Sequence, residues 1–226
     1  IVTGRGFLRF INDGLDKFCN YENVYGICGY LQRLDLDIHQ VYFFMKRFSA
    51  WGFGTWREKY HRLMSLDSAA VAAETMRNWD QYRCLNRFAP YIAQNLPGLE
   101  SSAFRAGDYE NGLKLRRYNG YCVYPGKSLV RNIGFDATGV HCGVDEAFLN
   151  QDLHDNFIGQ LPEYPVRESV RVSLAWAKMV LGHRYRFVQF RNVLLFLLFR
   201  WTNSPHEWVR RFRSFLHRNR PMSTKN

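Results

Sequence analysis

Three residues carry the side chains best suited to chemistry. His141 lies in a glycine-rich stretch, Asn132 to Gly143 (NIGFDATGVHCG), flanked by Asp136 and Asp145. A histidine held in such a loop can reach a metal ion or a diphosphate, and serves equally well as a plain loop or core residue. Asp80 follows Trp79, and Asp108 precedes Tyr109, each near the end of an expected element. Either can act as a general base, and either can simply cap a helix or carry a solvated charge. The chain contains no P-loop, no HExxH and no GxSxG, and Gly4-Arg5-Gly6 lacks the further glycines of a dinucleotide loop. Cys19, Cys28, Cys84, Cys122 and Cys142 are odd in number and never spaced CxxC. That argues against a disulfide framework and a structural zinc site, and for mostly buried free thiols in a reducing compartment.

The elements that must position these residues alternate between the two types. Phe7, Leu8, Ile11, Leu15 and Phe18 recur at helical spacing and predict an amphipathic helix over residues 7–19. Val24–Tyr30 and Val41–Met45 are short apolar runs between turn-prone residues and read as buried strands. Ser49–Trp56 (SAWGFGTW) packs two glycines and two tryptophans into eight residues, which predicts a loop with bulky aromatics and close backbone approach. A helix is expected over Ser68–Arg87, with Pro90 just beyond its end. Leu96–Gly107 reads as loop, Tyr109–Tyr118 as helix, Tyr121–Tyr124 as a strand ending at Pro125, and Asn132–Gly143 as an ordered loop.

Beyond Pro165 the pattern is helical. Tyr185–Trp201 is apolar nearly all round, which suits burial in the fold or against lipid. Ser204-Pro205-His206-Glu207 is a helix start, with Ser as N-cap and Pro at the first position. Trp208, Val209, Phe212, Phe215 and Leu216 then share one face, and Arg210, Arg211, Arg213, His217 and Arg218 the other. A basic amphipathic helix over residues 204–220 fits the surface of an anionic membrane, or docks on the domain with a solvated basic face.

Composition agrees with this division into an α/β body, residues 1–165, and a basic helical tail, residues 166–226. The 226 residues are 46% apolar and 23% charged, enough for one domain with a real core, or a domain plus a tail, and not the composition of a disordered or collagen-like chain. Basic and acidic residues balance from Ile1 to Pro165, so the whole net charge of +11 falls on Val166–Asn226. A neutral body with a basic tail points to a catalytic or binding domain attached to an anionic surface, and away from a nucleic-acid binder. No signal peptide is visible, and the longest apolar run, Val193–Phe199, is far short of the ~20 residues of a spanning helix. The chain begins with Ile, which suggests that it lies within a longer protein.

Taken in order, several segments resemble one family. IVTGRGFLRFINDGLDKF is similar to the segment after the Glu-Asp-Asp metal motif of family-2-type bacterial glycosyltransferases of the GT-A fold. VYGICGY resembles the family's V-x-x-I-S-G-Y strand, and FSAWGFGTWREKY its S-S-W-G-W-A-T-W-x-x-R-W signature. GDYENGLKLRRYNGYCVYPGKSLVRNIGFDATGVHCG resembles its block W-D-x-x-W…G-L-x-x-Y-P…S-L-V-x-N-I-G-F-D-G-S-G-T-H. The similarity covers roughly residues 1–143, and its specificity lies in the combination of the tryptophan signature with the NIGFD…H loop. Gly107 stands where the family has Trp before the candidate base, the aromatic expected after the base is replaced near Asn111, and Tyr60 stands where Trp is common.

The resemblance implies a nucleotide-sugar-dependent, inverting transferase that moves a sugar onto a glycan or lipid-linked acceptor. It implies Asp108 as the base, with Asp80 in reserve. Trp51, Gly52 and Trp56, with Asn132 and Gly134, would bind substrate, and His141 would ligate Mg²⁺ or Mn²⁺. The chain then corresponds to the acceptor-side, C-terminal half of a GT-A domain, and the acidic metal motif would lie before Ile1. Little or no transferase activity is expected from these 226 residues alone. Their place would be peripheral, at the cytoplasmic face of the membrane. The alternative is a non-catalytic carbohydrate- or membrane-binding module of the same fold.

Overall fold

The three longest strands of this protein are almost unbroken apolar runs because both faces of their sheet are covered. The computed structural model describes residues 1–101, 106–135, 151–155, 157 and 160–202. Among them, β1 (Val2–Thr3) leads through a turn into α1 (Phe7–Phe18), followed by β2 (Val24–Cys28), β3 (Tyr42–Met45) and the short β4 (Phe53–Gly54). Six helices follow: α2 (Arg57–Met64), α3 (Ser68–Arg77), α4 (Trp79–Phe88), α5 (Pro90–Ala93), α6 (Leu96–Glu100) and α7 (Gly107–Arg117). The chain returns through β5 (Tyr121–Pro125) and β6 (Val130–Arg131), and then forms α8 (Val170–Leu181) and α9 (Tyr185–Thr202), joined by a 3-10 turn. The fold is a mixed α/β arrangement with small mixed sheets.

The main sheet has the order β3-β5-β2-β4. β2 and β5 are parallel, with Ile27 opposite Val123, whereas β3 pairs antiparallel with β5 and β4 antiparallel with β2. β1 and β6 form a separate antiparallel pair. Alternation along β3 and β5 sends Tyr42, Phe44 and Val123 to one face, where they meet Phe10, Ile11 and Phe18 of α1. Gly14 of α1 lies over Ile27, so close that an added Cβ would stand 2.9 Å from its Cγ2. Phe43, Met45, Cys122 and Tyr124 go to the other face and meet Leu115 of α7 and Val172 and Trp176 of α8.

A third core is made of helices alone. Leu85 of α4, Ile92 of α5, Leu96 and Leu99 of α6, and Ala177 of α8 pack with Val188 and Phe196 of α9. The Phe196 ring stands 4.4 Å from that of Tyr82 and 5.1 Å from that of Trp79. Asn192, wholly buried, ties α9 to α4 and α5 through Asn86 Oδ1 at 2.8 Å and the Pro90 carbonyl at 3.0 Å. The segment after Pro165 is therefore fixed to the body as far as α9: Glu168 bridges to Phe44, and the Arg116 guanidinium meets Glu168 at 3.4 Å.

Most expected elements appear where the sequence puts them, with differences in detail. Within the expected loop Ser49–Trp56, Phe53–Gly54 pairs with β2 as the short strand β4. The helix expected over Ser68–Arg87 is two helices, because Asn78 is extended and its Oδ1 accepts the Gln81 N–H at 3.1 Å, capping α4. Leu96–Gly107 is not all loop, since α6 occupies Leu96–Glu100 with Pro97 in its first turn, where a missing N–H costs nothing. The four described thiols are divided evenly: Cys28 and Cys122 are buried, while Cys19 and Cys84 are exposed. Cys142, the basic helix expected over 204–220 and most of the glycine-rich loop lie outside the described residues.

Candidate functional site

The parallel pair β2 and β5 defines one edge of the sheet where ligands commonly collect, the carboxyl ends of parallel strands. Three loops meet there and are stitched through their backbones. Gly29 N donates to Gly52 O at 2.8 Å, Leu129 N to Gly29 O at 2.9 Å, and Leu31 N to Ser128 Oγ at 2.9 Å. Ser128 Oγ in turn donates to Val130 O at 2.7 Å, so this buried hydroxyl both accepts and donates within the clamp.

Gly52 holds the tryptophan loop against this edge. Its φ is +69°, and an added Cβ would lie 2.8 Å from Val130 Cγ2 and 3.1 Å from the Phe7 ring. Trp51 beside it is half-buried, with its ring 4.6 Å from Tyr30 and 5.5 Å from Phe135, both edge-on. Asn132 Oδ1 accepts the Gly134 N–H at 3.0 Å, which closes the turn that delivers Phe135 to Trp51. Asn132 and Gly134 thus shape the turn beside Trp51, with the Asn132 side-chain oxygen engaged on its own backbone.

Asp108 comes to the same loop from α7. It lies in the first turn of that helix, where a negative charge is favoured, and its Oδ1 accepts the Ala50 N–H at 3.3 Å. Its other oxygen has no hydrogen-bond partner among the described residues. Burial pushes the Asp108 carboxyl above the usual carboxylate range, and the nearby Arg47 guanidinium and the Ala50 N–H pull it back. Arg47 is itself sunk among aromatics, 3.9 Å from the Trp176 ring and 4.9 Å from that of Tyr91, and burial lowers its pKa to about 10. A carboxylate made more basic by burial, with a buried guanidinium nearby and one backbone N–H to orient it, is suited to accept a proton.

Two other residues singled out in the sequence lie elsewhere. Trp56 precedes α2 and packs with the α1 face of the sheet, opposite Trp51, under the Lys59 ammonium at 3.9 Å. Lys59 also donates to the Phe18, Cys19 and Tyr21 carbonyls, so this pair closes the end of α1. Asp80 is exposed at the start of α4, 3.6 Å from Arg83 and near Lys46, Arg116 and Arg117, beside the amino end of β5. The structure brings Asp108, Trp51, Gly52, Asn132 and Gly134 together and leaves Trp56 and Asp80 apart. His141, Asp136 and Asp145 lie outside the described residues. Among the described residues no three His, Cys, Asp or Glu side chains come together that could hold a metal ion.

A second part of the edge was not anticipated. Beyond Tyr30, whose hydroxyl donates to Gln32 Oε1, a cavity of about 350 Å³ lies between residues 31–38 and residues 126–128 and 151–154. Gln151 and Lys127 line it with His154, whose N–H donates to the Ser128 carbonyl at 2.8 Å. Glutamine and lysine are too common to signal a site, and the only pointer was the position of Pro125-Gly126-Lys127 immediately after a buried strand. No family model, curated protein or solved structure matches the chain.

Proposed function

We propose that this chain is the acceptor-side part of a GT-A glycosyltransferase that moves a sugar from a nucleotide-sugar onto a glycan or lipid-linked acceptor with inversion. The observation that carries the reading is the Asp108 carboxylate, basic through burial and hydrogen-bonded to the tryptophan loop at the carboxyl ends of two parallel strands. In this reading Asp108 takes the proton of the acceptor hydroxyl as its oxygen attacks the anomeric carbon. The bond from that carbon to the nucleoside diphosphate breaks, and its electron pair leaves with the diphosphate. Trp51, with Gly52 fixing its loop, walls the reacting sugars and excludes water. Mg²⁺ or Mn²⁺ remains part of the proposal. The described residues offer no donor set that fits it, so its ligands lie outside them and no step is routed through it.

The same proposal places the protein peripherally at the cytoplasmic face of an anionic membrane. No described helix is long and apolar enough to cross one. Support for surface attachment comes from α9, whose solvent face is apolar. Phe187 and Phe190 are each 64% exposed, and Leu194, Leu197 and Leu198 share that side. No acidic residue occurs from Ser169 to Thr202, while Arg171, Lys178, Arg184 and Arg186 do. An apolar stripe with a cationic surround fits anionic lipid, and residues 204–220 would extend it.

The test offers labelled UDP- and GDP-hexoses with Mn²⁺ and acceptor membranes to the protein purified from its source. Transfer that falls about 100-fold or more in Asp108→Asn supports the assignment. Glycan binding with no transfer from any donor would leave only a binding module, and transfer untouched by Asp108→Asn would remove Asp108 as the base.

A further inference from the structure

The cavity beside Tyr30 is lined by a residue whose buried acceptor no described residue uses. Gln151 is 3% exposed, and its Nε2 donates to the Leu31 carbonyl. A carbonyl only accepts, so this bond fixes which way the amide faces. Gln151 Oε1 is thereby left without a partner among the described residues, and Gln151 is one of the residues that line the cavity. A buried acceptor in this state calls for a donor that the described residues do not supply.

The rest of the lining defines what brings that donor. Leu34, Leu36 and Ile38 present half-buried apolar surface, suited to the C–H face of a sugar ring. Lys127, exposed at the rim, has no ion pair or hydrogen bond among the described residues. His154 and Arg33 stand in the same lining, with Asp152 as the one acid. The volume, about 350 Å³, lies in the range of small-molecule sites.

We propose that this cavity binds a glycosyl phosphate. A sugar hydroxyl donates to Gln151 Oε1, a further hydroxyl to Asp152, and the phosphate sits on the Lys127 and His154 side. This rests on the transferase reading only for its role, as the head group of the acceptor. Binding is measured without turnover, so a protein that binds the ligand and transfers nothing keeps this site and loses the transferase.

The experiment titrates the protein with glucose 1-phosphate, glucose and inorganic phosphate by NMR and calorimetry. Glucose 1-phosphate binds more tightly than either fragment. Gln151→Leu weakens glucose 1-phosphate about tenfold and leaves inorganic phosphate unmoved. Lys127→Gln, at an exposed position that does not hold the fold, weakens glucose 1-phosphate and inorganic phosphate alike and flattens the salt dependence. The same sugar phosphate esterified to citronellol separates the two sources. A gain of about tenfold assigns the lipid-linked form and equal affinity the free one. Three results overturn the proposal: no binding at about 10 mM, inorganic phosphate binding as tightly as glucose 1-phosphate, or Lys127→Gln and a folded Gln151→Leu both leaving glucose 1-phosphate affinity unchanged.

Discussion

Gly52→Ala is the sharpest test of how the site loop is held. At φ +69° an L side chain costs about 1–2 kcal/mol in backbone strain alone. The new methyl would also stand 2.8 Å from Val130 Cγ2, closer than real Cβ contacts come, and 3.1–3.2 Å from the Phe7 ring, which is tight. Val130 is wholly buried and has nowhere to move, so overpacking adds about 1–3 kcal/mol. The sum is about 2–5 kcal/mol, or roughly 5–15 °C in melting temperature for a domain of this size. Urea unfolding followed by tryptophan fluorescence reads it directly, with an unchanged m-value showing that the same structure is being lost. Gly107→Ala is the control, because nothing lies within 4 Å of its Cβ position and it opens α7. That variant is expected to be neutral or slightly stabilising. Phe7→Leu combined with Gly52→Ala should recover part of the overpacking cost and none of the backbone strain. A Gly52→Ala protein within about 0.5 kcal/mol of the native one would show that neither the φ nor the contact constrains the loop.

Three other outcomes are expected. Asp108 has a raised pKa when folded, so the native state holds its proton more tightly than the unfolded chain does. Its stability contribution is therefore present at acid pH and is lost as pH rises through the raised range. Melting temperatures from pH 4 upward should fall less steeply for Asp108→Asn than for the native protein, and parallel curves would contradict the assigned burial. Glu168→Ala strands the Arg116 guanidinium, which is 12% exposed, and should cost about 3 kcal/mol in urea unfolding, with Arg116→Met in the same chain restoring most of it; a loss below about 1 kcal/mol would make the pair ornamental. Phe187→Ser with Phe190→Ser should weaken sedimentation with phosphatidylglycerol vesicles about tenfold or more at unchanged stability, and unchanged sedimentation would take α9 off the lipid surface.

The sheet was legible because its chemistry is uniform. β2, β3 and β5 are buried on both faces, so each reads as a continuous apolar run, and α1 shows its period because only one side is covered. The break at Asn78 was hidden inside an uninterrupted helical period, and Pro90 looked like a terminator although it sits in the first turn of a new helix. Asp108 and Trp51 were recognisable as types. Their meeting through Ala50 was not, because it joins residues 58 positions apart across loops with no pattern of their own. Gln151 carried no signal at all: its orphaned oxygen exists only because Leu31, from the other side of the sheet edge, takes its nitrogen.

The parallel pairing of β2 with β5 also sets the order in which the chain can be completed. Val24 meets Tyr121, and Val2 meets Arg131, so both closures span roughly a hundred residues of intervening chain. At synthesis rates of about 5–20 residues per second, β2 waits on the order of 5–20 s for its main neighbour. Helices α2 to α7 emerge in that interval and can form from local contacts, but the Phe10, Ile11 and Ile27 side chains have no finished sheet to bury against until β5 arrives. The nascent protein is therefore most prone to wrong association just before its site exists, and slower growth at lower temperature, or a chaperone that covers residues 24–28, is what this connectivity asks of the cell.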